Sequence, residues 1–135
     1  MMPTLDPLRR HALLVEALTC ALVVRASLRL ASLPVAVRAA RLAGILFPSH
    51  GDATDCVRAA TRAARHLAHP TCLYRALTAY AMLAHRDGHA RFHLGAARAG
   101  DVAMHAWVTV DGRALDTDAD RYAPFWTAPS RRASR

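Results

Sequence analysis

The sequence predicts an α+β fold, in which a helical N-terminal half precedes a small antiparallel sheet. In the first half, apolar residues recur at helical spacing and are separated by prolines and helix-capping residues. From Ala90 onward the hydrophobic period shortens to that of strands. Asp111-Gly112 then lies between two strand-like runs and is the strongest hairpin signal in the chain. These observations favour a fold in which a helix packs on a small antiparallel sheet.

The helical half divides into four predicted helices. Their approximate bounds are residues 8–30, 35–47, 52–67 and 72–86. Pro34 opens the second helix, either Asp52 or Thr54 can cap the third, and Thr71 is a natural N-cap for the fourth. Charged residues interrupt the first helix too often for a membrane span of about 20 apolar residues.

Short strands follow the helices. The sequence predicts strand character over residues 90–98, a strand over 103–110, and its hairpin partner over 113–116. Tyr122, Phe125 and Trp126 come later, and we expect them to cover the hairpin. The predicted organisation is a helical extension over residues 1–50, a core over 51–128 and a disordered basic tail over 129–135.

Composition restricts the class of protein. An apolar content of 53% indicates a globular chain, and all 18 basic residues are arginine. The net charge of +8 favours acidic partners. However, the arginines are spread along every element rather than clustered with aromatic residues, so we do not expect nucleic-acid binding. The three cysteines, Cys20, Cys56 and Cys72, are too few and too widely spaced for a disulfide framework, which favours a cytoplasmic location.

Cys72 is the candidate nucleophile. At the first turn of a helix, unpaired N–H groups and the helix dipole stabilise a thiolate, and an outward-pointing amide can donate to an oxyanion. His105 is the candidate base. A two-residue loop at Asp111-Gly112 sets Asp116 opposite Trp107 and Asp118 opposite His105, so either carboxylate can orient the imidazole. A thiol, an imidazole and a carboxylate in this order indicate acyl-transfer chemistry.

Three segments make the chain recognisable. Cys-Leu-Tyr-Arg-Ala-Leu opens a helix at Cys72, Gly-His-Ala-Arg-Phe-His-Leu-Gly spans residues 88–95, and His-Ala-Trp-Val begins at His105 before the Asp-Gly hairpin. Over about residues 54–126 the chain resembles the transglutaminase-like cysteine protease superfamily. More narrowly, it is similar to the stand-alone leader peptidases of lasso-peptide biosynthesis.

The resemblance implies a papain- or transglutaminase-like core and a cysteine peptidase that removes the leader from a ribosomal lasso-peptide precursor. It implies Cys72 as nucleophile, His105 as base and Asp116 as third member of the triad, with Asp118 as the alternative. No cofactor is implied. The implied partners are the precursor, a separate leader-recognition protein and an ATP-dependent lasso cyclase.

Three other interpretations remain open. His66, His69 and Cys72, or His85, His89 and His93, are metal-ligand types, but Pro70 and Gly88 interrupt the two sets, so we expect no metal. A non-enzymatic basic binding module is a second interpretation. Third, the same thioester resolved by an amine instead of water gives a transglutaminase-like acyltransferase.

Overall fold

The computed structural model describes residues 6–46, 52–67, 71–85, 89–97, 104–115 and 121–128. In chain order these form α1 (Pro7–Leu30), α2 (Leu33–Ala43), a short 3-10 helix (Gly44–Leu46), α3 (Ala53–His66), α4 (Cys72–Leu83), β1 (Ala90–Ala97), β2 (Met104–Val110), β3 (Arg113–Ala114) and β4 (Tyr122–Ala128). The predicted α+β class, with helices first and an antiparallel sheet second, is confirmed.

Side-chain caps fix the helix starts. The two candidate caps of α3 are resolved in favour of Asp52, whose carboxylate accepts from the Asp55 amide at 2.9 Å while Asp55 accepts from the Asp52 amide at 3.3 Å. At α4, the Thr71 hydroxyl accepts from the Tyr74 amide at 3.4 Å, as predicted. The described part of α4 ends at Leu83, a few residues before the predicted end.

The sheet has the strand order β3-β2-β1-β4, and every neighbouring pair is antiparallel. The segment with the aromatic residues expected to cover the hairpin, Tyr122–Ala128, forms the edge strand β4 and pairs with β1, a strand that the sequence analysis does not predict. Pro124 obscures this strand in the sequence, yet an edge strand tolerates proline. Trp126 still packs edge-on against Phe92, with ring centroids 5.9 Å apart.

α4 is the central element of the core. It contacts α1, α2, α3 and the sheet, and the side chains of residues 76–83 are all buried. The sheet presents Phe92, Ala106 and Val108 to this core, and the ring of Tyr80 lies 6.3 Å from that of Phe92. Since side chains alternate along a strand, the neighbours of these three residues point to the opposite side, which we call the outer face of the sheet.

Among the described residues, no helix is both long and apolar enough to span a bilayer. The predicted division into a 1–50 extension, a 51–128 core and a 129–135 tail stays a prediction. The segment 129–135 lies outside the described residues.

Candidate active site

The structure places Cys72 at the tip of the central helix. It is the first residue of α4 and directly follows the N-cap Thr71, so its position at a helix N-terminus is the one that the sequence predicts. Cys72 is partly exposed, whereas Cys20 and Cys56 are fully buried at 0% exposure. Of the three cysteines, Cys72 is therefore the one that a reagent or a substrate can reach.

A pocket of about 230 Å³ opens beside Cys72. It lies between α3, α4 and β2, and its lining residues are Val57, Thr61, Cys72, Arg75, Ala76, Ala79, Ala106, Trp107, Val108 and Leu115. Most of these side chains are apolar. Ala106 and Trp107 directly follow His105 in the chain, so the segment that bears the candidate base forms a wall of the pocket that contains the candidate nucleophile.

His105 is the second residue of β2 and is half-buried. Its imidazole stacks on Tyr122, with centroids 4.5 Å apart and planes inclined by 24°, and on Trp107 at 5.9 Å and 15°. Ala106 and Val108 point into the helical core, so the alternation of β2 directs His105 and Trp107 to the outer face. Tyr122 and Trp107 thus hold the His105 ring in a defined orientation.

The Cys72 thiol and the His105 imidazole lie on different sides of β2. Cys72 borders a pocket on the helical side of the strand, whereas the His105 ring lies on the outer face. β3 pairs with β2 at Thr109 and Val110, and the Leu115 amide donates to the Val108 carbonyl, whereas the hairpin beyond Leu115 lies outside the described residues. The catalytic pairing of Cys72 with His105 stays a prediction.

The hairpin that carries the predicted carboxylates adopts the expected turn. Asp111 and Gly112 both have positive φ, 51° and 81°, as a two-residue type I′ loop requires, and Val110 pairs with Arg113. The Leu115 amide donates to the Val108 carbonyl at 3.1 Å, which continues this register. Asp116 and Asp118 lie outside the described residues, and the choice between them stays open.

Asp111 also anchors the turn to β1. Its carboxylate accepts from the His89 amide at 2.9 Å, and its own amide donates to the His89 carbonyl at 3.1 Å. The hairpin tip is therefore tied to the residue preceding β1. These two bonds fix the tip of the β2–β3 hairpin relative to β1.

His93 lies close to His105 in the structure, although the sequence analysis considers it only as a possible metal ligand. Its Nδ1 is 3.0 Å from the Thr127 hydroxyl and its Nε2 is 2.8 Å from the Thr109 hydroxyl. The ring also stacks on Trp107 at 5.4 Å. Burial, and secondarily the positive charge of Arg91, lowers the pKa of His93 below the usual histidine value. His93 is therefore favoured as a neutral ring at the end of an aromatic row.

This row of rings runs along the outer face in the order His93, Trp107, His105 and Tyr122, and we call it the outer-face aromatic row. The period-two alternation of a strand predicts from the sequence that His105 and Trp107 share one face of β2. The contribution of His93 and Tyr122 depends on how β1 pairs with its two neighbours, which is long-range information.

The described part of the chain contains no cluster of side chains that could hold a metal ion. No three histidine, cysteine, aspartate or glutamate side chains converge among those residues. His85 instead lies with its Nε2 2.6 Å from the Arg41 carbonyl, and His93 is held by the two threonines. His69 lies outside the described residues.

Comparison with known proteins identifies the family. The family model described as "Transglutaminase-like superfamily" matches residues 14–128, which includes Cys72, His105 and both candidate aspartates. This match begins well before residue 54, where the recognisable motifs start, and covers most of the helical half. No curated protein and no solved structure gives a significant match. By its sequence motifs, its fold and this match, the chain belongs to the transglutaminase-like superfamily.

Proposed function

We propose that the chain is a cysteine peptidase in which Cys72 is the nucleophile and His105 the base, with Asp116 or Asp118 orienting the imidazole. The family includes cysteine peptidases and acyltransferases, which share this chemistry. The observation that carries the proposal is the partly exposed Cys72 at the start of α4, in one pocket with the two residues that follow His105.

The proposed reaction has two steps. The Cys72 thiolate attacks the carbonyl carbon of the scissile peptide bond, while the N–H groups at the start of α4 are available to the developing oxyanion. His105 then donates a proton to the leaving amine, and the acyl group remains on sulfur as a thioester. Water, deprotonated by the neutral imidazole, then attacks the thioester carbonyl carbon, and the carbon–sulfur bond breaks, which releases the new carboxyl terminus and regenerates the Cys72 thiolate.

This mechanism requires the His105 imidazole to reach the thiol around the edge of β2. The proposal requires the His105 ring to leave its stacking on Tyr122 and Trp107, at a cost of roughly 0.5–1.5 kcal/mol for each aromatic contact. A well-positioned base contributes about 10²–10⁴-fold in rate, or about 3–5 kcal/mol, which exceeds that cost.

The proposed substrate is the leader–core junction of a ribosomally made lasso-peptide precursor. The sequence resemblance supports this proposal, together with a separate leader-recognition protein and an ATP-dependent lasso cyclase as partners. The charge of +8 supports an acidic binding partner. We propose a cytoplasmic location, because precursor synthesis and ATP-dependent cyclisation both occur there.

The test is cleavage of a candidate precursor by the wild-type chain, with and without a leader-binding partner, followed by mass spectrometry. We expect leader and core fragments whose summed mass exceeds that of the precursor by one water. Cys72→Ala and His105→Gln should abolish cleavage, whereas His89→Gln, which changes an exposed histidine, should retain it.

Two other results would redirect the assignment. Products that carry an added amine in place of water identify an acyltransferase working through the same thioester. Cleavage that survives in Cys72→Ala contradicts the role of the thiol, whereas absence of cleavage by the wild type with its partner moves the chain toward a non-catalytic binding function.

A further inference from the structure

The pocket beside Cys72 has a size and a chemistry that restrict what enters it. Its volume of about 230 Å³ exceeds the roughly 150 Å³ in which an apolar cavity binds a benzene ring. It is therefore large enough for one leucine-sized or phenyl-sized side chain. A glycine or alanine side chain would leave most of the space unfilled.

Small residues make this space. Ala76 and Ala79 lie three residues apart on one side of α4, and Ala106 of β2 lines the same pocket. Larger side chains at any of the three positions would occupy the volume themselves. The pocket beside the thiol therefore exists because three of its lining residues are alanines, whose side chains are small.

The lining is also less polar than its residue types suggest. Thr61 lines the pocket, but its hydroxyl donates to the Val57 carbonyl of its own helix at 2.9 Å. This internal bond satisfies the hydroxyl hydrogen, so Thr61 contributes mainly a methyl group. Among the lining residues that the structure describes, Arg75 is the one that carries a charge, and it is exposed. An apolar interior with a cation beside it favours an apolar side chain and disfavours a basic one.

We propose that this pocket binds one large apolar side chain of the substrate, that of the residue whose carbonyl Cys72 attacks. This inference rests on the proposed function for the identity of the attacked carbonyl. It adds the substrate class: peptides with a leucine-like residue on the acyl side of the scissile bond, and not a small or basic one. Ala76, Ala79 and Ala106 set that preference by their size.

The test uses N-acetylated amino-acid chloromethyl ketones as probes. The Cys72 thiolate displaces chloride from the methylene carbon, forming a carbon–sulfur bond, and the probe's side chain then lies where the acyl-side residue of a substrate would. The rate of Cys72 modification, followed by mass spectrometry, is compared among leucyl, alanyl and lysyl probes. Cys20 and Cys56 are fully buried, so labelling in the folded chain reports on Cys72.

We expect the leucyl probe to react at least tenfold faster than the alanyl probe, from the free energy of burying the additional carbon atoms. The lysyl probe should be the slowest. Thr61→Leu and Ala79→Leu should each reduce the leucyl-to-alanyl ratio to about one by filling the pocket. Val110→Ile, on β2 but outside the pocket, should keep the wild-type ratio. Using two filling variants keeps the test valid if one of them does not fold.

The outcomes separate this inference from the proposed function. Leucyl selectivity without precursor cleavage supports the pocket and removes the peptidase assignment. Precursor cleavage by a chain whose three probes react at equal rates overturns the pocket. Absence of Cys72 labelling by every probe overturns both.

Discussion

Replacing Gly95 by alanine probes the support of the outer-face aromatic row. A Cβ built at Gly95 would lie 2.5 Å from the Ala123 carbonyl oxygen of β4 and 2.8 and 2.9 Å from two ring carbons of Trp107. Each distance is well below the roughly 3.5 Å at which non-bonded carbon atoms attract each other. The Trp107 ring, which is 5% exposed, therefore packs directly on the Gly95 backbone.

Neither neighbour can move without disturbing another contact. The Ala123 carbonyl belongs to the β1–β4 pair, which already shifts register between Leu94 and Gly95. The Trp107 ring is stacked between His93 and His105. Overpacking of this kind costs about 1–3 kcal/mol. For a chain of this length, Tm should fall by roughly 3–15 °C.

Two measurements check this prediction. Thermal unfolding followed by circular dichroism should give the lower Tm, and the tryptophan emission of the folded variant should change because Trp107 is displaced. Ala96→Ser, a change at the adjacent exposed residue, should alter neither the Tm nor the tryptophan emission. If Gly95→Ala unfolds within 1 °C of the wild type with unchanged emission, Trp107 does not pack on Gly95 as described.

Three further predictions concern single side chains. Asp52→Ala should lower the free energy of unfolding by about 0.5–2 kcal/mol through loss of the α3 capping box, measured by urea denaturation. Gly112→Ala should cost about 1 kcal/mol in the same assay, because the residue has a φ of 81°. His93→Gln should reduce the loss of stability on acidification. Since the pKa of His93 is lowered in the fold, the unfolded chain binds the proton more readily, and wild-type stability should decline as the pH falls below about 6.5.

Matched variants accompany these predictions. Asp52→Asn retains an N-cap acceptor and should stay near the wild type, and Gly112→Asn should cost less than Gly112→Ala because asparagine tolerates positive φ. His89→Gln should leave the acid decline in place. Equal losses for alanine and asparagine at either position, or equal acid declines for His93→Gln and the wild type, would contradict the respective reasoning.

Local signals in the sequence were sufficient to predict where the helices α3 and α4 start and where the hairpin turns. Thr71 and Asp52 cap helices by side-chain bonds to residues three positions away, and Asp111-Gly112 fixes the register of its hairpin by its positive φ angles. Such interactions depend on neighbours in the chain. For this reason the position of Cys72 at a helix start was predictable.

Long-range pairing was not predictable in the same way. β4 contains Pro124 and has no alternation strong enough to mark it as a strand, so its pairing with β1 became visible only in the structure. That pairing brings Thr127 to His93 and Tyr122 to His105. The sequence placed His105 and Trp107 on one face but did not specify that α4 packs on the other.

The central claim, that His105 acts on the Cys72 thiol, is tested most directly by the pH dependence of Cys72 alkylation by iodoacetamide. If the imidazolium stabilises the thiolate, the wild type should still react at about pH 6, and His105→Gln should lose about tenfold or more of that rate while reacting nearly normally at about pH 9. His89→Gln should follow the wild type. Coincident profiles for His105→Gln and the wild type would contradict the claim.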